Sequence, residues 1–161
     1  MDPEDPFMDN LRASIIAVGR IKSGPERTLI DGYLKRLPWD VTIREVEERR
    51  PITGAERQAR EAELLMAAIP DGALVVALHE RGRTMTSPDF ANTLADWREH
   101  RSDHIVFLIG GADGFAPEAL ARADVKLSLG VMTWPHALAR AMLVEQLYRA
   151  HTILKGHPYH K

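Results

Sequence analysis

Short apolar runs alternate with amphipathic segments along most of the chain. The β-branched run at 13–19 ends in glycine and predicts a buried strand, as do the apolar runs at 73–78 and 104–111. Segments 41–46 and 125–129 predict two further strands, the first of them with one polar face. Strands separated by helical segments indicate an α/β fold, with a mostly parallel sheet and flanking helices.

Apolar residues at helical spacing fill the intervals between these strands. The predicted helices run from about residue 29 to before Pro38, over 54–69, over 87–100, from Pro117 for a short distance, and from Pro135 to about Leu154. In open parallel sheets, ligands bind beyond the carboxyl ends of the strands. We therefore expect a binding site in the loops that follow Leu78, Ile109 and Leu129.

The long final helix has an unusual apolar content. Within 137–144 only Arg140 is polar, and a helix that is apolar on nearly every side is normally covered on every side. We predict a homodimer in which a second copy supplies part of this cover. A buried Arg140 needs an anionic partner. That partner is either a glutamate in a salt bridge, or a nucleic-acid phosphate or substrate carbonyl. Glu145 and Arg149, four residues apart, most simply form a helical ion pair.

Two loops carry candidate binding chemistry. In "LIGGADGF" (108–115), Gly110 and Gly111 lack Cβ atoms, so they can take unusual dihedrals and let a ligand approach the backbone. The alternative is a tight turn that binds nothing. Neither a dinucleotide fingerprint nor a P-loop is present, which disfavours a nucleotide-dependent enzyme. The apolar loop from Val131 to Trp134 either holds a flat ring or is an ordinary connection packed inward.

Composition narrows the class of protein. The 161 residues suit one domain at 9–161, and we interpret the acidic, proline-rich residues 1–8 as a disordered extension or a cloning remnant. The absence of cysteine excludes disulfides and thiolate metal sites and favours the cytoplasm. No apolar run has membrane-spanning length. A net charge of −2 argues against indiscriminate nucleic-acid binding but allows a local basic patch.

The C-terminal "HPYH" segment concentrates polar chemistry in a tail. His157 and His160, with His151 or His136 as a third ligand, could chelate zinc. Structural zinc sites usually take four protein ligands, and no cysteine or suitable carboxylate cluster is available, so we predict no metal. The remaining alternatives are exposed residues without a role, or a tail that grips a nucleotide. Imidazoles that titrate near neutrality, the Tyr159 ring and flanking lysines support the second alternative.

Four segments, "IIAVGRIK", "LIGGADG", "WPHALAR" and "EQLYRAHTILKGHPYH", together resemble the bacterial ribosomal RNA large-subunit methyltransferase H family of the SPOUT superfamily. The resemblance extends from about Leu11 to the end of the chain. It implies a C-terminal trefoil knot, an obligate dimer, an S-adenosylmethionine cofactor, and methylation of N3 of a pseudouridine in 23S rRNA. Free RNA, a subunit and the assembled ribosome stay open as substrates, and the mild net charge favours the ribosome or its large subunit. The alternative is a non-enzymatic RNA-binding or ribosome-binding factor on the same fold.

The resemblance also assigns site residues. It implies cofactor binding by Leu78, Gly111, Gly130, Val131, Met132, Thr133, Trp134 and Pro135. It implies that the cofactor's methyl group faces the partner's tail, where we expect His160 to be the base, Tyr159 to position the target and Arg140 to stabilise charge. The chain has "GGADG" where "GGPEG" is common in the family and "MTWPHA" where "LTLPHP" is usual, and it has His79-Glu80 where many relatives have an aspartate. We expect backbone contacts to the cofactor to survive the first two departures, while the resemblance does not determine the shape of the pocket at these positions.

Overall fold

The computed structural model describes residues 11–160, with residue 160 described by its backbone alone. The elements are β1 (Arg12–Val18), α1 (Pro25–Arg36), β2 (Asp40–Val46), α2 (Gly54–Ala68), β3 (Leu74–Arg83), α3 (Ser87–His100), β4 (His104–Ile109), α4 (Pro117–Arg122), β5 (Val125–Leu127), α5 (His136–Leu154) and a 3₁₀ turn (Pro158–His160). The predicted extension at residues 1–8 lies outside the described residues.

The five strands form one parallel sheet in the order β2-β1-β4-β3-β5. One row of aligned residues crosses all five strands: Ile43, Ile15, Phe107, Val76 and Val125. Parallel neighbours need crossover connections, and here helices supply them and cover both faces of the sheet. The predicted α/β class with a parallel sheet and flanking helices is confirmed.

Alternate strand residues face the two helical layers. Ile15 and Phe107 pack with Leu143 in the larger core, which α1, α3 and α5 cover. Ile16 and Leu108 belong to a second cluster together with residues of α2. Because successive side chains of a strand point to opposite faces, continuous apolar runs are what a sheet covered on both sides requires.

The region around β3 and β5 departs from the predicted boundaries. β3 continues to Arg83 instead of ending at residue 78, and β5 ends at Leu127 instead of residue 129. The pairing of β3 with β5 is irregular between Leu78 and Arg83. A Cβ at Gly82 would lie 2.7–2.8 Å from backbone atoms of β5, so the extension of β3 passes directly against β5. Glycine is the residue that permits this approach. The trefoil knot stays a prediction.

Within residues 11–160, no helix is long and apolar enough to cross a membrane.

Candidate active site

A cavity of about 360 Å³ lies at the carboxyl ends of β3, β4 and β5. The loops after β4 and β5 form its walls, together with residues 78–80 and the first turn of α5. Residues 78–80 lie within β3, so the predicted loop after Leu78 is wrong, although these residues do line the cavity. Its lining consists of Leu78, His79, Glu80, Ile109, Gly110, Gly111, Ala112, Asp113, Gly114, Phe115, Leu129, Gly130, Met132, Thr133, Trp134, His136 and Ala139. This volume is within the usual range for sites that bind small molecules.

The cavity brings together most of the residues expected to bind the cofactor. Leu78, Gly111, Gly130, Met132, Thr133 and Trp134 line it, whereas Val131 and Pro135 are outside the lining. Val131 is 83% exposed, and Pro135 is the cap residue before α5. The lining residues Glu80 and His136 were not among the predicted cofactor positions. Glu80 lies close after Leu78, and His136 directly follows Pro135. Their nearness to predicted cofactor positions was the signal in the sequence that could have identified them.

The glycine loop after β4 is held from two helices. Gln58 of α2 donates a hydrogen bond to the Asp113 carbonyl at 2.6 Å, and His136 Nδ1 lies 2.9 Å from the Gly110 carbonyl oxygen. The Gly114 amide closes the turn by donating to the Gly111 carbonyl at 3.0 Å. These contacts fix the backbone that faces the cavity.

The reason for glycine at two positions in this loop differs from the expectation. Gly114 has a positive φ of 76°, whereas Gly110 and Gly111 do not have positive φ, so the predicted unusual dihedrals are wrong for these two. A Cβ at Gly111 would lie 2.7 Å from Glu61 Oε2 and 3.0 Å from Val18 Cγ1. A larger residue at Gly111 would displace the Glu61 side chain, so glycine here allows the loop to pack closely against α2.

The loop after β5 presents apolar side chains to solvent. Val131 and Met132 are 83% and 70% exposed, and Trp134 is also exposed, so the alternative of an ordinary connection packed inward is wrong. Ser128 Oγ accepts a hydrogen bond from the Gly130 amide at 3.1 Å and shapes the start of this loop. Thr133 Oγ1 donates to Glu80 Oε2 at 3.0 Å, which joins the loop to the end of β3.

The cavity fits the chemistry of S-adenosylmethionine. Met132 and Trp134 provide apolar surface for a purine ring, and the backbone of the glycine loop provides polar groups for its edge. The Glu80 carboxylate is an acceptor for ribose hydroxyls or for an ammonium group. The departure at Trp134 adds ring surface without closing the cavity.

Arg140 forms a salt bridge to a glutamate, which was the first of the two alternatives expected for it. Its guanidinium, 3% exposed, donates from Nη1 to Glu45 Oε2 at 2.8 Å and from Nη2 to the Gly19 carbonyl at 3.2 Å. Burial raises the pKa of Glu45, but the hydrogen bonds from Arg140 and from the Ile21 amide outweigh it, so the net pKa is lowered. Direct action of Arg140 on RNA would require this pair to break.

Tyr159 packs firmly against the body of the chain. Its ring makes a T-shaped contact with Tyr148 at 4.7 Å, and its hydroxyl donates to Glu145 Oε1 at 3.2 Å and lies 3.2 Å from the Tyr33 hydroxyl. Burial, the Tyr33 hydrogen bond and the Glu145 charge raise the pKa of Tyr159 well above its ordinary value. The alternative that the tail consists of exposed residues is therefore wrong for Tyr159.

The tail and the cavity are separate within one chain. Tyr159 contacts α1 and α5 and is not a lining residue of the cavity, and the side chain of His160 lies outside the described residues. The predicted helical pair is confirmed, because Arg149 Nη2 donates to Glu145 Oε1 at 2.7 Å. In the part of the chain that the structure describes, no three His, Cys, Asp or Glu residues form a group that could hold a metal. The absence of a metal at the tail stays a prediction.

Comparisons with known proteins agree with this geometry. Residues 11–160 match a family model described as predicted SPOUT methyltransferase. The ribosomal RNA large subunit methyltransferase H of Paramagnetospirillum magneticum is 54% identical over 151 residues, covering 94% of this chain and 99% of the relative. The protein of the same name from Bradyrhizobium diazoefficiens is 46% identical over 159 residues, with the same two coverages.

A solved structure supports the fold. A probable methylase family protein from Haemophilus influenzae superposes with a TM-score of 0.54 at 13% identity, covering 94% of this chain and 71% of that protein. At this identity the likeness concerns the fold alone. The family model and the two relatives span nearly the whole described chain, and the chain therefore belongs to the SPOUT methyltransferase family.

Proposed function

We propose that this protein methylates N3 of a pseudouridine in 23S rRNA, with S-adenosylmethionine as the methyl donor. The observation that carries the proposal is the cavity formed by β3 and the loops after β4 and β5, which six of the eight predicted cofactor residues line. Relatives with 46–54% identity are named ribosomal RNA large subunit methyltransferases. A non-enzymatic RNA-binding factor would need no such cavity, and the relatives' names speak against it.

The residues that line the cavity would bind the cofactor and orient its methyl group toward the target. Leu78, Met132 and Trp134 would hold the cofactor together with the glycine loop, and the first turn of α5 closes the site. When bound, S-adenosylmethionine supplies a methyl group whose bond to sulfur breaks as its bond to N3 forms. Alignment of the attacking nitrogen with the methyl group supplies most of the rate in such a displacement.

The imide N3 of pseudouridine must also lose its proton. Because the pKa of Tyr159 is raised, its phenol stays protonated near neutral pH, and its one O–H donates to Glu145, so Tyr159 does not serve as the base. We assign acceptance of the N3 proton to His160, as expected from the sequence, because an imidazole can act as a general base. Arg140 acts as a positioning residue: through Glu45 it fixes the start of α5 beside the cavity.

We further propose that the active enzyme is a homodimer in the cytoplasm. One chain covers Arg140 fully but leaves residues 137–139 of α5 half-buried. The exposed apolar side chains of Val131 and Met132 lie just before this segment. A second copy would bury both surfaces and would bring its tail to the cavity. Sedimentation at micromolar concentration should give twice the chain mass, and a stable monomer would contradict the dimer.

The direct test is methyl transfer to ribosomal RNA. Purified protein, labelled S-adenosylmethionine and either ribosomes, large subunits or free 23S rRNA should yield 3-methylpseudouridine, detected by mass spectrometry after nuclease digestion. The ribosome or large subunit should be the better substrate, since a net charge of −2 provides little general attraction for free RNA. Absence of the product with all three substrates would refute the proposal.

A matched pair of variants tests the cofactor site. Thr133→Val removes the hydroxyl that holds Glu80 in the cavity, and its loss should weaken S-adenosylmethionine binding about threefold to tenfold by calorimetry. Thr42→Val removes an exposed hydroxyl on β2, outside the cavity lining, and should leave the affinity unchanged. Equal affinities for both variants would argue against cofactor binding in this cavity.

A further inference from the structure

A second cavity, of about 400 Å³, lies between the amino-terminal end of α3 and the outer face of α5. It shares Leu129 and Gly130 with the first cavity, so the two adjoin across the turn that follows β5. The proposed cofactor lies in the first cavity, so the second cavity has no assigned ligand. The second cavity lies beside the proposed site of the methyl donor and could therefore hold a second ligand.

The walls of the second cavity suit a flat ring with polar edges. Met85, Phe90 and Met142 provide apolar surface, and hydroxyls of the 84–87 segment lie among them. Thr86 Oγ1 accepts a hydrogen bond from the Asp89 amide at 3.2 Å, which leaves its hydroxyl hydrogen as a donor. A slot of this kind matches a nucleobase better than a fully charged or fully apolar ligand.

One side chain in this wall is held in a defined orientation. Ser87 Oγ donates to Gln146 Oε1 at 2.7 Å, and Gln146 Nε2 donates to Glu145 Oε2 at 3.0 Å. These two hydrogen bonds define the positions of the oxygen and the nitrogen of the Gln146 side-chain amide. The second N–H of Gln146 is then a donor for a carbonyl oxygen.

The same amide is linked to the C-terminal tail. Glu145, which Gln146 contacts through one carboxylate oxygen, accepts hydrogen bonds from Tyr159 and Arg149 through the other. A continuous path of hydrogen bonds therefore runs from Ser87 in the cavity wall to Tyr159.

We propose that the second cavity receives the target nucleoside, a uracil-type ring turned out of its RNA helix, and that Gln146 reads a carbonyl beside N3. This assignment rests on the proposed methyltransferase function. A base within a helix must leave the stack before an enzyme can modify its ring. The ring must also lie next to the methyl donor, and the two cavities are neighbours that have Leu129 and Gly130 in common. A uracil-type ring presents two carbonyl acceptors around N3, and hydroxyl and amide donors line this cavity.

Methionine methyl groups provide a direct test by nuclear magnetic resonance. Met85 and Met142 line the second cavity, Met132 lines the first, and Met66 on α2 lines neither. With protein labelled at methionine methyl carbons and saturated with S-adenosylhomocysteine, pseudouridine monophosphate should shift the resonances of Met85 and Met142. Met66 should not move, and adenosine monophosphate should cause no comparable shift. The assignment would be overturned if the resonances of Met85 and Met142 did not shift with the nucleotide, or if they already shifted with the cofactor alone.

Variants give a second, independent readout. Gln146→Leu should lower kcat/KM for the ribosomal substrate at least tenfold while leaving affinity for S-adenosylmethionine unchanged. Asn92→Leu, which changes an exposed amide on α3, is the matched control and should behave as wild type. Equal kcat/KM for the two variants would overturn the role of Gln146. Conversion of Gln146→Leu to a monomer would instead identify this wall as the subunit interface and overturn the nucleoside site.

The failure of this inference is distinguishable from failure of the proposed function. If wild-type protein methylates ribosomes and Met132 responds to the cofactor, yet Met85 and Met142 ignore the nucleotide, only the nucleoside site is wrong. If Met132 ignores the cofactor and no methylation occurs, the proposed function is wrong as well.

Discussion

The buried pair of Arg140 and Glu45 provides the sharpest test of how this fold supports its site. Arg140→Met removes the guanidinium while keeping most of the side-chain volume. The substitution breaks the bonds to Glu45 and to the Gly19 carbonyl, and these tie α5 to the ends of β1 and β2. We expect a loss of stability instead of a purely catalytic defect.

The magnitude follows from the unequal burial of the two partners. Breaking a fully buried ion pair costs about 3–5 kcal/mol, whereas an exposed pair is worth less than about 1 kcal/mol. Arg140 is 3% exposed but the Glu45 side chain is 31% exposed, so the freed carboxylate recovers part of its hydration. We expect Arg140→Met to cost about 2–3 kcal/mol. In a domain of this size, this lowers Tm by roughly 5–10 °C.

Urea unfolding of Arg140→Met, Glu45→Gln and the double variant measures the pair. The double variant should cost about 1–3 kcal/mol less than the sum of the single variants, because each single change leaves the other partner uncompensated. The lowered pKa of Glu45 means that the pair stabilises the fold above the ordinary glutamate pKa and loses this effect as pH falls through the folded-state value. Additive costs would refute the reasoning. Normal stability with lost methyl transfer would show instead that Arg140 acts directly on the substrate.

Three further outcomes test separate features. Gly82→Ala places a Cβ against the backbone of β5 and should cost about 1–3 kcal/mol or more in urea unfolding, and a neutral effect would contradict the close approach. Hydrogen bonds from Arg50 and from Arg60 lower the pKa of Glu48 to about 2. The stability difference between wild type and Glu48→Gln should therefore be full above about pH 4.5 and shrink as pH falls toward 2, and a pH-independent difference would argue against the pairing. Tyr159→Ala should lower Tm as well as methyl transfer, because the ring packs on Tyr148, whereas unchanged Tm would mean that the tail is held loosely.

The order of helices and strands was readable from the sequence because it depends on local patterns. Apolar runs of strand length and apolar residues at helical spacing are signals that each segment carries by itself. The rule that ligands bind at strand ends pointed to the segments at Leu78, Ile109 and Leu129, and all three residues line the cavity, although Leu78 lies within β3. The cofactor contacts that the resemblance implies stay predictions. The boundaries of β3 and β5 were wrong because their irregular pairing depends on contact between two distant segments.

What the tertiary structure decided was which distant residues meet. Arg140 pairs with Glu45, 95 positions away, and Tyr159 contacts Tyr33, 126 positions away. Neither contact leaves a periodic signal in the sequence, because it depends on how helices pack on the sheet. For the same reason the sequence marked Gly111 as special but only the fold shows why, since the crowding atoms belong to α2 and β1. Local chemistry thus determined the elements and the candidate loops, and long-range packing determined the partners of each side chain.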